Sequence, residues 1–124
     1  MRRSDQRRAA VFALYAREVR GGDIDDSLDD AKPFTRELIA GVEEHRPELD
    51  EEIALLARGW ELDRIAALEK NIMRVGLYEL HHRDDVPAEV AIDEAVGLAK
   101  RYCGADAPGF VNGILAAAAK AEKA

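Results

Sequence analysis

The stretch Leu68 to His82, LEKNIMRVGLYELHH, constrains this chain more than any other. Between Ile72 and Leu80 it carries seven uncharged and largely apolar positions: Ile72, Met73, Val75, Gly76, Leu77, Tyr78 and Leu80. Arg74 and Glu79 are the only charges there. Wound at about 100° per residue, these positions leave almost no polar face, and a helix that is apolar nearly all round is a buried helix. Most of its residues are good helix formers, and no proline interrupts it. It is too short, and too charged at its ends, to span a membrane. Other elements must therefore cover it on most sides. Gly76 costs helix propensity, and the expected reason to keep it is close approach by a neighbouring backbone.

The flanking sequence supplies that cover. Ser4 is an N-cap candidate, with Asp5 near the positive end of the helix dipole, for a first helix that runs to Arg20 and stops at Gly21-Gly22. Ala10, Val11, Leu14 and the stem of Tyr15 form its apolar stripe. Asp23 to Lys32 is acidic and nearly without apolar residues, so it reads as an exposed connection with at most a short turn of helix. Pro33 suits the first position of a second helix, whose stripe is Phe34, Leu38, Ile39 and Val42. Pro47 is expected to end that helix and open a third, which carries Leu49, Ile53 and Leu56, with Gly59 as its C′ residue. Trp60, Leu62 and Ile65 make a short apolar bridge into the central stretch.

Arg83 to Pro87 is a turn. A helix from about Pro87 to Cys103 follows, with Ile92, Ala95, Val96, Ala99 and Tyr102 or Cys103 on one stripe. Gly104 ends it. Asp106 caps a last helix from about Ala107 to Lys120, with Phe110, Val111, Ile114 and Leu115 as its apolar set. No strand-like alternation bounded by turns appears, and no internal repeat. The expected fold is all-α: five main helices plus one or two short ones around the central stretch.

Charge is unevenly spread. Residues 1–20 hold six arginines against two acids, a balance of +4; residues 21–70 sum to −9 and residues 71–124 to −2, for −7 overall. That total argues against indiscriminate nucleic-acid binding, while a basic end on an acidic body suggests a localised anion contact or a simply solvated helix start. Arg3 and Arg7 are four apart and share a helix face, with Arg8 beside them. That face could follow a phosphate backbone. The one cysteine, Cys103, leaves no internal disulfide and fits a reducing compartment. With a charged start and no apolar leader-like run, a cytoplasmic protein is expected.

Enzyme motifs are absent: no Gly-rich phosphate loop, no Gly-x-Ser-x-Gly, no His-Glu-x-x-His. His81 and His82 are adjacent and point about 100° apart on a helix, so they do not chelate one ion together. The acidic run at Asp23–Lys32 lacks the spacing of a calcium loop. No metal, no cofactor and no catalysis are expected; the chain reads as a binder. Phe110 stands at the start of a helix beside the loop Gly104-Ala105-Asp106-Ala107-Pro108-Gly109. An aromatic there either packs inward or stacks an unpaired base, the usual way single-stranded RNA is held.

Several runs, taken in order, resemble the NusB family of transcription antitermination factors. They are Arg7 with Ala13-Leu14-Tyr15; Phe34-x-x-Glu37-Leu38-x-x-Gly41; Glu69-Lys70 followed by Ile72-x-Arg74-x-x-x-Tyr78-Glu79-Leu80; Val86-Pro87-x-x-Val90-Ala91-Ile92-x-Glu94-Ala95-Val96-x-Leu98-Ala99-Lys100; and Phe110-Val111-Asn112-Gly113-Ile114-Leu115. They cover nearly the whole chain. The resemblance implies about seven helices in two small bundles that share a central helix, forming one NusB-like RNA-binding domain over residues 1–124.

It also implies a function. The family binds the boxA element of nascent ribosomal transcripts together with the ribosomal protein NusE, and the pair joins an RNA polymerase antitermination complex. Carried over by position, Arg2, Arg3 and Arg7 lie in the arginine-rich RNA-binding start. Phe110 matches the base-contacting aromatic, Asp106 an acidic residue near the RNA whose charge weakens binding, and Lys100 lies close by. Tyr15 and Glu69 match positions that face NusE. Ser4 and Asp5 stand where family members often carry basic residues, so weaker RNA affinity and more dependence on NusE are expected. Some family members form homodimers that bury the RNA surface. Two alternatives stay open at this point: a helical protein-interaction module with no RNA role, and an accessory domain of the kind that resembles this fold in ribosomal RNA cytosine methyltransferases.

Overall fold

A computed structural model describes residues 2–22 and 31–123. Within them lie five α-helices and one short 3-10 helix: α1 (Arg3–Arg20), α2 (Pro33–Leu56), the 3-10 turn Leu62–Arg64, α3 (Ala67–His82), α4 (Ala88–Tyr102) and α5 (Ala107–Lys123). The central stretch is α3. Helices α1 and α2 pack on it and on each other, and α4 and α5 do the same from its other side. The two three-helix groups share α3, as the family resemblance implied and the sequence pattern alone did not.

Burial follows the helical period. Arg7, Ala10, Val11 and Leu14 are the buried face of α1; Ala91, Ala95, Leu98 and Ala99 that of α4. The α4 stripe is turned slightly from the expected one, since Ile92 and Val96 are only half-buried and Tyr102 is exposed. In α3 every residue from Asn71 to Leu77 is buried, and Glu79 with them.

Among the described residues one helix fewer forms than expected: a single helix runs where two are expected on either side of Pro47. It breaks nothing: α2 runs through it for 24 residues. A proline here removes one N–H from the ladder and crowds the preceding turn. The same continuous face nevertheless buries Leu38, Val42, Leu49 and Ile53, and a break would split it. Packing outweighs the local penalty.

Two start signals also act differently from expectation. Ser4 is inside α1, whose N-cap is Arg2, and its hydroxyl donates to Glu94 instead. The start of α2 is satisfied from α1: the Phe34 N–H donates to Gln6 Oε1 at 3.1 Å, and Thr35 Oγ1 donates to the Gln6 carbonyl at 3.0 Å. Those bonds fill one of the free donors that every helix start carries.

The glycines report close packing. A Cβ at Gly76 would lie 2.9 Å from Leu115 Cδ1 and 3.6 Å from Ala95 Cβ. The close neighbours are side chains, not the backbone anticipated. At Gly41 a Cβ would run into the Tyr78 ring, so α2 and α3 meet at a glycine-on-aromatic contact.

Candidate nucleic-acid interface

The sequence-derived candidates fall at two ends of α3. Glu69 and Glu79 are ten residues apart, about 15 Å along the helix axis. Residues of α1's start gather at the Glu79 end; Phe110, Asp106 and Glu69 gather at the other.

At the Glu79 end, Arg7 is not on the surface. It is 4% exposed, and its guanidinium grips the buried Glu79 carboxylate through Nε (2.9 and 3.0 Å) and NH2 (2.8 Å), with NH1 3.3 Å from Glu94. Helix α3 can carry a carboxylate in the core only because α1 delivers this fork to it. Burial pushes the Glu79 carboxyl above its ordinary range, with Arg7 pulling against that shift. The expectation that Arg3 and Arg7 form one exposed basic face therefore fails for Arg7: Glu79 and Glu94 take its donors inside the bundle.

Arg3 stays near the surface. It pairs with Asp85 at 2.8 Å and lies 4.3 Å above the Phe34 ring, which Arg83 also approaches at 5.1 Å. Its hydrogen bond and that of Arg83 hold the exposed Asp85 carboxyl down at about 2. Arg2 is 84% exposed in its side chain, 3.5 Å from Asp5.

A second buried charge on α3 is handled likewise. Arg74 meets Asp50 of α2 (2.6 and 3.0 Å) and Glu18 of α1 (2.5 Å), and Asn71 joins them. Burial opposes the charge on Glu18, but Lys70 at 2.8 Å and Arg74 overcome it and hold its carboxyl at about 2.

At the other end the surface opens. A cleft of about 390 Å³ is lined by Trp60, Arg64, Ile65, Glu69, Asp106 and Phe110 among others. Gly59, with φ of +81°, turns the chain out of α2 in a conformation that favours glycine, and the Trp60 N–H donates to the Ala57 carbonyl at 3.0 Å. Trp60 is thereby held in the connection between helices and, although part of the apolar bridge, is 55% exposed. Phe110 is half-buried. It packs partly on the core and also lines the cleft, its ring centroid 5.9 Å from that of Trp60. Burial raises the Glu69 carboxyl above its ordinary range.

Lys100 is exposed near the end of α4. Tyr15 is half-buried on α1, edge-on to Phe12 (6.4 Å between centroids), and Phe12 is edge-on to the exposed Tyr102 (5.0 Å). This aromatic line connects α1 with the end of α4. Among the described residues, no group of three or more His, Cys, Asp or Glu is placed to hold a metal ion. Nor is any described helix long and apolar enough to cross a membrane. The acidic run at residues 23–30 lies outside the described residues.

Among the described residues, buried ion pairs lock an all-helical bundle that carries an open cleft lined in part by aromatic rings. Comparison with known proteins gives the family. The NusB family model matches residues 4–120. The transcription antitermination protein NusB of a Nocardioides species is 40% identical over 121 residues, covering 91% of this chain and 90% of the relative. Among solved structures, T. maritima NusB superposes with a TM-score of 0.89 at 35% identity, covering 97% of this chain and 92% of that one. A crystal structure of antitermination factors NusB and NusE in complex with dsRNA superposes with a TM-score of 0.84 at 27% identity, covering 96% of each chain. This chain belongs to the NusB family, a family of transcription antitermination factors and not of enzymes.

Proposed function

We propose that this chain is a cytoplasmic transcription antitermination factor that binds the boxA element of nascent ribosomal RNA together with the ribosomal protein NusE and, with it, joins the RNA polymerase antitermination complex. The observation that carries this is the open cleft in which Phe110, Asp106 and Glu69 meet, on a chain of this family. Relatives that hold NusE and RNA share its fold.

The mechanism needs no bond-making. Phe110 offers the face of its half-buried ring that lines the cleft to an unpaired base. Arg2, Arg3 and Lys100 reach phosphates on the same strand, which must then extend along the length of α3. Arg7 acts from inside, fixing α1 so that Arg2 and Arg3 are presented. Asp106 opposes phosphate close to Phe110 and tempers affinity. Tyr15 and Glu69 face NusE. Because Glu69 lines the same cleft as Phe110, protein and RNA partners sit side by side, and each raises the affinity of the other by the same factor.

The test is a titration of the protein into fluorescently labelled boxA RNA and a scrambled control, with and without NusE, at several salt concentrations. BoxA should bind more tightly than the control, and NusE should strengthen it. The log–log salt slope should be roughly −0.7 per phosphate contact. Phe110→Ala should lose about 1–3 kcal/mol of RNA binding while NusE binding persists. Equal binding of boxA and control, even with NusE, overturns the proposal and favours a protein-interaction module without an RNA role.

A further inference from the structure

Trp60 is left over once the positions implied by the family resemblance are placed. It is the only tryptophan of the chain, and it stands more than half exposed in a connection beside Phe110. The two ring planes are inclined by 57°. They form a corner of the cleft, with Ile65 and Ala107 completing the apolar lining.

The charges around that corner select what enters it. Glu69 and Asp106 carry negative charge on the same cleft, which disfavours phosphate oxygens there. Carboxylates are acceptors only, so they favour the N–H donors of a base edge. Arg64, also on the cleft and exposed, carries a guanidinium of the kind that pairs with phosphate. An aromatic corner with acceptors at its edge and a guanidinium nearby suits a flat ring with a donor edge and a phosphate on its outer side.

We propose that Trp60 is a second base-stacking residue, and that with Phe110 it holds one unpaired base bearing an exocyclic amino group, the amino edge turned to the Glu69 and Asp106 carboxylates and the flanking phosphate to Arg64. This rests on the RNA-binding function proposed above and adds to it a residue and a base preference.

A single tryptophan makes the test direct, because tryptophan-selective excitation in the presence of a tryptophan-free NusE reports on Trp60 alone. The full chain with NusE is titrated with boxA RNA, and separately with seven-nucleotide oligocytidylate and oligouridylate, which differ in presenting an amino group or a carbonyl at the same ring position. Circular dichroism checks that each variant keeps its helices. BoxA RNA should quench the fluorescence. Trp60→Ala should weaken boxA binding by about five-fold to about a hundred-fold, the range of one stacked base. Trp60→Phe should stay within about three-fold of the parent, since a ring still fills the site. Oligocytidylate should bind more tightly than oligouridylate. If Trp60→Ala binds boxA like the parent while Phe110→Ala loses affinity, this assignment falls and the RNA-binding function stands. If the parent binds no RNA even with NusE, both fall. Equal affinity for the two homopolymers overturns the amino-edge preference.

Discussion

The two ends of α3 dispose of charge in opposite ways. At the Glu79 end a buried carboxylate is enclosed by Arg7 from another helix, and the Arg7 donors are taken up by Glu79 and Glu94. At the Glu69 end the carboxylate sits half-buried on an open cleft, flanked by aromatic rings that are partly in water. The first end spends its charges on holding helices together; the second leaves charge and apolar surface facing outward. Within one helix, the contrast separates charges enclosed by the fold from charges left facing an open cleft. A basic residue near the chain start is not a nucleic-acid contact by virtue of its charge. What decides is whether the fold has already supplied its counter-charge.

The largest effect should come from breaking the closed end. Arg7→Met leaves Glu79 buried without its partner, and losing one member of a buried pair costs about 3–5 kcal/mol. For a domain of this size that lowers the melting temperature by more than about 10 °C. The double variant Arg7→Met/Glu79→Leu should recover most of the loss, because an apolar pair of similar volume avoids the desolvation cost. Thermal melts of the two variants decide it: if the losses simply add, Arg7 and Glu79 are not coupled.

A smaller effect tests packing at the same end against the cleft. Gly41→Ala drives a methyl group into the Tyr78 ring, which is itself stacked against His45 and His82. Overpacking of this kind costs about 1–3 kcal/mol, and Tyr78→Leu in the same chain should relieve part of it. Trp60→Ala at the open end should cost less than about 1 kcal/mol, as for a surface residue. Denaturant melts that rank Trp60→Ala as the more damaging would mean that the cleft, too, is part of the core.

Much of the closed end could be read from sequence, and its missed parts share one cause. The apolar run at Leu68–His82 marks a buried helix, and α3 spans Ala67–His82. Pro33 marks the start of α2. Pro47 and Arg7 were misjudged because local rules cannot see partners far along the chain. Glu79 is 72 residues from Arg7, and the face that carries α2 through Pro47 is buried by α1 and α3. At the open end Phe110 stands out by its place at a helix start beside a loop, Glu69 only through the family resemblance, and Trp60 reads as part of an apolar bridge. One signal pointed the other way: Trp60 follows Gly59 and is set among Arg58, Glu61, Asp63 and Arg64, the composition of a surface connection.

The smallest effect concerns pH at the closed end, where two adjacent histidines are shifted in opposite directions. His81, at the closed end of α3, lies between Glu52 of α2 and Glu122 of α5, with each ring nitrogen 2.7 Å from a carboxylate oxygen. Burial works against its charge, but the two carboxylates prevail and raise its pKa above the ordinary 6.5. A folded-state pKa raised above the unfolded one stabilises fully below the unfolded value and loses that contribution as pH rises through the folded value. Stability, and with it the melting temperature, should therefore fall as pH rises above 6.5, by less than about 1 kcal/mol because both carboxylates are partly in solvent. His82 has the opposite shift, lowered by burial and by His45, with which it stacks at 3.9 Å. It is present in both proteins when the parent is compared with His81→Gln, so the difference between their pH profiles isolates His81. A steeper decline in the parent than in His81→Gln supports the bridge. Parallel profiles would show that α5 is held to α2 and α3 by its apolar face alone, through Val111, Leu115 and Ala118.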